Sequence, residues 1–309
     1  MSRPDLEDLP WMAGGTVLLL VAVLLALHYH RQEDIATKSD FKARRLELVG
    51  QMRAALFSAS EAEKSAVMAT TDQDSQTFAE QSRAASAVVE QRRDELAKLL
   101  ETGGTREERE LLFQFSQALT ECQHIDRELL DLAVKNTNLK AYSLAFGPAA
   151  DALAGMDGAL SCILRESATS IAPATKQVML LAAGAQSGTW RIQALLPPHI
   201  FEESDQRMDE LEARMANEDQ KVHSDLKGLS ALLGSGNLDL ETAMSGYDRF
   251  TELKTRILEL SRQNTNVRSL FISLNQKRKV LQTGQDALAA LEQTIREEPL
   301  TSNLPVSPR

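Results

Sequence analysis

The sequence predicts an all-α protein: an N-terminal transmembrane helix followed by an elongated, up-down antiparallel helical bundle made of duplicated four-helix-bundle-like units. Three observations lead there. The composition is short of the residues that build sheets and turns, with nine Phe, three Tyr, two Trp, 15 Gly and nine Pro among 309 residues, a bias that favours helices. Apolar residues recur at helical spacing in the long segments, and none of these shows sustained period-two alternation. Two stretches also repeat one another at a fixed offset.

The elements follow in chain order. Residues 1–8 form a short tail. Residues 9–30 contain no Asp, Glu, Lys or Arg, and 22 residues of helix reach about 33 Å, enough to cross roughly 30 Å of hydrocarbon. Trp11 and Tyr29 sit at the two ends, where interfacial aromatics belong. The preceding MSRPDLEDLP carries one Arg against three acids and no Ala-x-Ala follows, so a retained anchor is expected rather than a cleaved signal peptide. Arg31, Lys38, Lys42, Arg44 and Arg45 follow the span while only Arg3 precedes it; by charge alone, the bulk would face the cytoplasm.

Beyond the span, breakers lie at residues 70–76 (TTDQDSQ), 102–105 (TGGT), Gly147-Pro148, Pro197-Pro198 and 234–237 (GSGN), with a weaker one at 275–279 (NQKRK). The stretches between them read as helices. One carries its apolar face on Leu112, Phe115, Leu119, Cys122, Ile125, Leu129, Leu132, Leu139 and Phe146. Another carries a seam of Leu253, Ile257, Leu260, Asn264, Val267, Phe271 and Leu274 at alternating spacings of four and three, the heptad pattern of a coiled-coil-like bundle.

These two stretches are the repeat. Residues 129–144 read LLDLAVKNTNLKAYSL and residues 257–272 read ILELSRQNTNVRSLFI, so that Leu130, Leu132, Asn136, Thr137 and Asn138 recur at Leu258, Leu260, Asn264, Thr265 and Asn266, an offset of 128. The expected modules are residues 31–169 and 170–297, with a disordered tail at 298–309.

Several function classes find no support. A net charge of −10 gives nucleic acid no electrostatic footing. Two Cys exclude a disulfide scaffold and a four-Cys zinc site. No phosphate loop, G-x-S-x-G or H-E-x-x-H occurs, and Cys122 and His124 diverge on a helix. No enzyme activity, catalytic residue, metal or cofactor is therefore expected. The informative polar element is Asn-Thr-Asn. An Asn at a seam position fixes register at some cost in stability; alternatively Asn136, Thr137, Asn264 and Thr265 line a polar pocket where Lys140 or Arg268 pairs with an acidic ligand. Arg92 and Arg93 are either a solvated pair or a bidentate carboxylate clamp.

The N-terminal anchor, the stretch ASEAEKSAVMATTDQDSQTFAEQ at residues 59–81, QRRDELAKLL at 91–100 and NTNLKAYSL at 136–144 together resemble the four-helix-bundle sensory domain of methyl-accepting chemotaxis receptors. The resemblance spans roughly residues 37–169 and, more faintly, 174–295. It implies a single-pass protein of a bacterial inner membrane, with its bulk in the periplasm, against the charge count. It also implies a homodimer through helices, and a small organic acid or amino acid, or a partner receptor, as the binding partner. The sequence departs from the family in lacking a second span, a HAMP linker and a signalling hairpin, which implies a stand-alone sensory or adaptor domain or a truncated receptor. The alternative expectation is an oligomerising scaffold of the cell envelope.

Overall fold

The computed structural model describes residues 9–234 and 236–299; the side chains of residues 9–22, 26, 27, 30, 31 and 33–35 lie outside that description. Every regular element among the described residues is helical: α1 (Leu9–Met68), α2 (Asp72–Gly103), α3 (Arg106–Ala133), α4 (Thr137–Phe146), α5 (Pro148–Thr169), α6 (Thr175–Ile200), α7 (Asp205–Leu233), α8 (Leu238–Gln263), α9 (Thr265–Phe271), a π-helix (Ile272–Lys277) and α10 (Arg278–Glu297). The all-α class is as expected. No helix among the described residues is long and apolar enough to cross a membrane. The expected span at residues 9–30 falls mostly on positions whose side chains lie outside the described residues, as do the tail at 1–8 and residues 300–309.

Most helix starts are written in the sequence. Thr105 and Glu108 form a capping box: the Glu108 N–H donates to Thr105 Oγ1 at 3.1 Å and the Thr105 N–H donates to Glu108 Oε2 at 2.7 Å. Thr71 Oγ1 accepts from the Asp74 N–H at 3.1 Å, and Asn237 Oδ1 from the Leu240 N–H at 2.8 Å. Breaks occur near residues 69–71, 104–105, 147, 201–204 and 234–237, close to where the breakers lie, and at 170–174, the expected module boundary.

Three places differ. Pro197 and Pro198 do not end α6, which runs on to Ile200. They occupy its last turn, so only the bonds to the carbonyls of residues 193 and 194 are lost. The segment 275–279 is no break but the end of a π-helix continuous with α10. Asn136 and Asn264, read as seam positions inside long helices, instead interrupt them in the left-handed conformation, at φ 48° and 53°. Asn tolerates that region better than most residues. The interruption breaks the helical phase: the seam is buried through Leu260 and Asn264, but Phe271 and Leu274 beyond it are exposed, as is Phe146 in the other copy.

The chain divides into two compact units. The described part of the first comprises residues 9–59, 84–121 and 280–299; the second comprises residues 60–83 and 122–279. The expected division at residues 169–170 therefore lies inside the second unit, where α5 packs on α6. Each unit has one apolar core. In the first, Leu48, Met52 and Leu56 of α1 meet Val89, Leu96 and Leu100 of α2, Leu112, Phe115 and Leu119 of α3, and Leu288, Leu291 and Ile295 of α10. In the second, Leu153, Met156, Leu160 and Ile163 of α5 pack with the faces of α6, α7 and α8 that carry Leu196, Leu226 and Phe250. Gly246 permits the close approach of α8 to α5, since a Cβ there would stand 3.0 Å from the Ala152 carbonyl oxygen.

The two repeats thus exchange their fourth helices. By the 128-residue offset α5 corresponds to the region of α10, yet α5 completes the core of α6–α8 and α10 completes the core of α1–α3. Glu298, the first residue of the expected disordered tail, is held as well: Lys42 Nζ donates to the carbonyls of Arg296 at 2.6 Å and Glu298 at 2.7 Å, and the Glu298 carboxylate pairs with Arg45.

Leu160 and its counterpart Leu288 are both fully buried. Leu288→Ala should cost about 2–5 kcal/mol and lower amide-exchange protection in residues 84–121, whereas Leu160→Ala should lower it in α6–α8. Hydrogen-exchange mass spectrometry that found the reverse pattern would contradict the exchange.

Candidate functional site

Within the second unit, the interruptions at Asn136 and Asn264 face each other. A helix start leaves its first N–H groups without intrahelical partners, and here neither α4 nor α9 is capped by its own preceding residue. Each is capped by the other. The Thr137 N–H donates to Thr265 Oγ1 and the Thr265 N–H to Thr137 Oγ1, both at 3.2 Å, and the two hydroxyl oxygens are 3.2 Å apart. The Asn138 N–H donates to Asn266 Oδ1 at 3.2 Å, and the Asn266 N–H to Asn138 Oδ1 at 3.1 Å. The side-chain amides close the figure: Asn138 Nδ2 donates to Asn264 Oδ1 at 2.7 Å, and Asn266 Nδ2 to Asn136 Oδ1 at 2.9 Å.

Two further connections are drawn in. Asn138 Nδ2 also donates to the Ile200 carbonyl at the end of α6, and Asn264 Nδ2 to the Glu202 carbonyl at 2.7 Å. Asn136 Nδ2 donates to Ser75 Oγ at 2.9 Å and Asp72 Oδ1 at 3.1 Å in the first turn of α2. Asn136, Thr137, Asn138, Asn264 and Thr265 are all buried. A polar group buried without a partner costs about 1–3 kcal/mol; here the side chains of these five residues are all engaged.

This clasp brings together Asn136, Thr137, Asn264 and Thr265, and adds Asn138 and Asn266. Lys140 lies at its edge, where its ammonium meets Asp72 at 2.8 Å; this bond holds the Asp72 carboxyl below its ordinary value. Arg268, the counterpart of Lys140, is exposed. Arg92 and Arg93 belong to the first unit. They are half-buried and engaged by Glu95 and Asp94 on their own helix, the latter at 2.8 Å.

Next to the clasp is a polar chain that the sequence reading missed. His199 Nδ1 faces Ser261 Oγ at 2.8 Å and His199 Nε2 faces Glu212 Oε1 at 2.9 Å. Arg262 Nε donates to the same carboxylate oxygen at 2.6 Å. Burial pushes the imidazole below its ordinary value while Glu212 pulls it back up; Arg262 holds Glu212 below the usual carboxylate range. The order Ser–His–Glu resembles an acyl-transfer triad, but Ser261 and His199 are both 0% exposed and Ser261 Oγ also lies 3.0 Å from the His199 carbonyl oxygen. The chain ties the end of α6 to α8 and presents no nucleophile to a substrate. Its only sequence signal was a His two residues before Phe201, at the close of an apolar helix.

Between α6 and α7 lies a groove of about 400 Å³ lined by Arg191, Ala194, Leu195, Arg214, Asn217 and Glu218. Arg191 reaches Glu218 at 3.3 Å, while Lys221 holds the same carboxylate group at 2.7 Å. A second, apolar groove of about 590 Å³ at the α5–α6 connection is lined by Leu164, Ile171, Pro173, Met179 and Leu180, among others. Among the described residues no cluster of metal-ligating side chains occurs. Compared with known proteins, the chain matches no family model and no curated protein.

Because each threonine hydroxyl accepts the other's N–H, Thr137→Val and Thr265→Val should not be additive. Each single change should cost about 1–2 kcal/mol, and the double change less than their sum by about 1 kcal/mol. Denaturant titration of the double-mutant cycle measures it; full additivity would mean that the two sites do not cap one another.

Proposed function

We propose that the chain is a membrane-anchored sensory module of the chemotaxis-receptor type, crossing a bacterial inner membrane once. It binds a small organic acid or amino acid, or a partner receptor, through its helical bulk. The observation that carries this reading is the continuity of α1. One helix runs without interruption from Leu9 to Met68, so the apolar N-terminal segment and the core residues Leu48, Met52 and Leu56 belong to a single rigid element. Val23, Leu24 and Leu25 on that helix are exposed apolar side chains, a surface suited to lipid. An axial or rotational displacement of such a helix travels between membrane and bundle at little cost.

The ligand locus that fits this reading is the groove between α6 and α7. Its volume lies in the range of small-molecule sites. Arg191 and Arg214 offer guanidinium forks for a carboxylate, Asn217 an amide, and Leu195 an apolar wall. The scaffold reading has its own observation, the self-satisfied clasp, which fixes helix register and leaves the amides of Asn136 and Asn264 engaged within the protein.

Two measurements test the proposal on the full-length chain. The protein should stay in the membrane fraction through alkaline carbonate extraction, and deletion of residues 9–30 should release it. Calorimetric titration in detergent against dicarboxylic acids and acidic amino acids should give saturable binding that Arg191→Ala/Arg214→Ala weakens at least tenfold. Retention in the membrane with no saturable heat across the panel, and no partner receptor recovered by crosslinking, would reject the sensory reading and leave the scaffold.

A further inference from the structure

The second unit buries a cluster of three charged side chains. Lys277, at the end of the π-helix, lies with its ammonium 3.1 Å from Glu63 Oε2 of α1 and in contact with Asp126 Oδ1 of α3. The side chains of Lys277, Glu63 and Asp126 are 4%, 1% and 15% exposed. Two carboxylates therefore face one ammonium, a net charge of −1 removed from water. The other oxygen of Glu63, Oε1, is buried and meets no donor.

The repeat shows what the same level of a bundle needs. At the 128-residue offset Lys277 corresponds to Ala149. The buried positions of α1 and α6 match at an offset of 133 rather than 128, with Ala59, Glu63 and Val67 falling on Ile192, Leu196 and Ile200, so by burial Glu63 corresponds to Leu196, whereas the 128-residue offset pairs it with Arg191. Ala149 and Leu196 are ordinary core residues, while the counterpart of Asp126 is Lys254, buried and paired with Asp219 at 2.9 Å. Packed apolar residues usually stabilise as well as a buried ion pair or better, so packing alone gives no reason for the charges. The π-helix is equally particular to this copy: the first repeat has the Gly147-Pro148 break at the corresponding level. A π-turn holds one residue more than an α-turn and commonly marks a functional position.

We infer that Glu63, Asp126 and Lys277, gathered by the π-turn at 272–277, form a buried proton-binding site whose excess negative charge is balanced by one proton, and that its occupancy is coupled to the π-geometry of that turn. We place the proton on the Asp126 carboxyl, the one of the two carboxyls whose proton affinity the surroundings raise. Burial raises that group above the ordinary carboxylate value, against the pull of Lys277 and with the added push of Glu63. Burial works to lower Lys277, but Asp126 and Glu63 hold it above its ordinary value, so it stays charged. Of the charged groups on the neighbouring helices, Arg83 of α2 is turned to Asp131 of α3 at 3.0 Å and Lys64 of α1 to Glu61 at 3.0 Å. With the proton bound, the cluster is neutral and Lys277 keeps its place at the end of the π-turn. When it leaves, a buried charge of −1 strains that turn.

The sign of the pH dependence follows. A carboxyl raised in the fold binds its proton more tightly folded than unfolded, so its contribution favours the folded state as pH falls toward 4 and is lost as pH rises through the raised value. Carbon-13 titration of the Asp126 carboxyl in the full-length chain should give a midpoint well above that of free aspartate. Glu63→Gln should lower that midpoint by removing the second negative charge. Asp126→Asn should raise the thermal midpoint at pH 8, with the difference from the natural chain vanishing toward pH 4. Amide exchange of residues 272–277 should quicken with rising pH in the natural chain and lose that dependence in Asp126→Asn. An Asp126 midpoint at or below the ordinary range, an unchanged midpoint in Glu63→Gln, or a midpoint that moves when sodium is replaced by choline would each overturn the proton site. Exchange at 272–277 independent of pH would overturn the coupling.

Discussion

Two helix starts that cap one another are the constraint on which the second unit depends. A helix that begins after a left-handed residue exposes N–H groups that something must accept. At Thr137-Asn138 and Thr265-Asn266 the acceptors are the matching side chains of the other copy. Neither interruption is complete without the other: remove one and the second is left with buried donors. Both chain paths are thereby fixed at the same level, and Asn138 and Asn264 also satisfy the Ile200 carbonyl at the end of α6 and the Glu202 carbonyl just beyond it. A duplicated sequence folds this way because each copy carries half of one hydrogen-bond set.

The exchange of fourth helices is the second consequence of those interruptions. A tight hairpin after α3 would return the chain along its own bundle. A single αL residue instead redirects it, and α5 finds its apolar partner in α6–α8 while α10 finds its own among α1–α3. Duplication then produces two cores that each need residues from both copies, so the copies cannot fold independently of one another. Lys254 and Asp126 share a repeat position yet serve different ion pairs, with Asp219 and with Lys277.

The functional reading rests on elements of unequal kind. The continuous α1 joins an apolar segment to a core, and the groove between α6 and α7 is lined by Arg191 and Arg214 together with Glu218. The clasp and the His199 chain belong to the frame itself, because their hydrogen-bonding groups are committed internally. Lys277 and its two carboxylates sit between these kinds. Lys277 and Glu63 are as buried as the frame and Asp126 nearly so, with two carboxylates against one ammonium.

The sequence by itself determined the helical class, the apolar N-terminal segment, most of the breakers and the 128-residue offset. These are encoded in composition, periodicity and short caps such as Thr105-x-x-Glu108, all of which act within one or two helical turns. It also marked Asn-Thr-Asn as unusual, but placed it on continuous seams, because helical spacing persists in the letters across a backbone that has turned left-handed. Only the tertiary structure decided that Asn136 and Asn264 are interruptions, that Phe271 and Leu274 turn outward after them, and which core each fourth helix enters. Glu63, Asp126 and Lys277 lie far apart in the chain on surfaces that read as ordinary polar positions. Their meeting depends on packing between helices and on one π-turn, and neither leaves a periodic trace in the sequence.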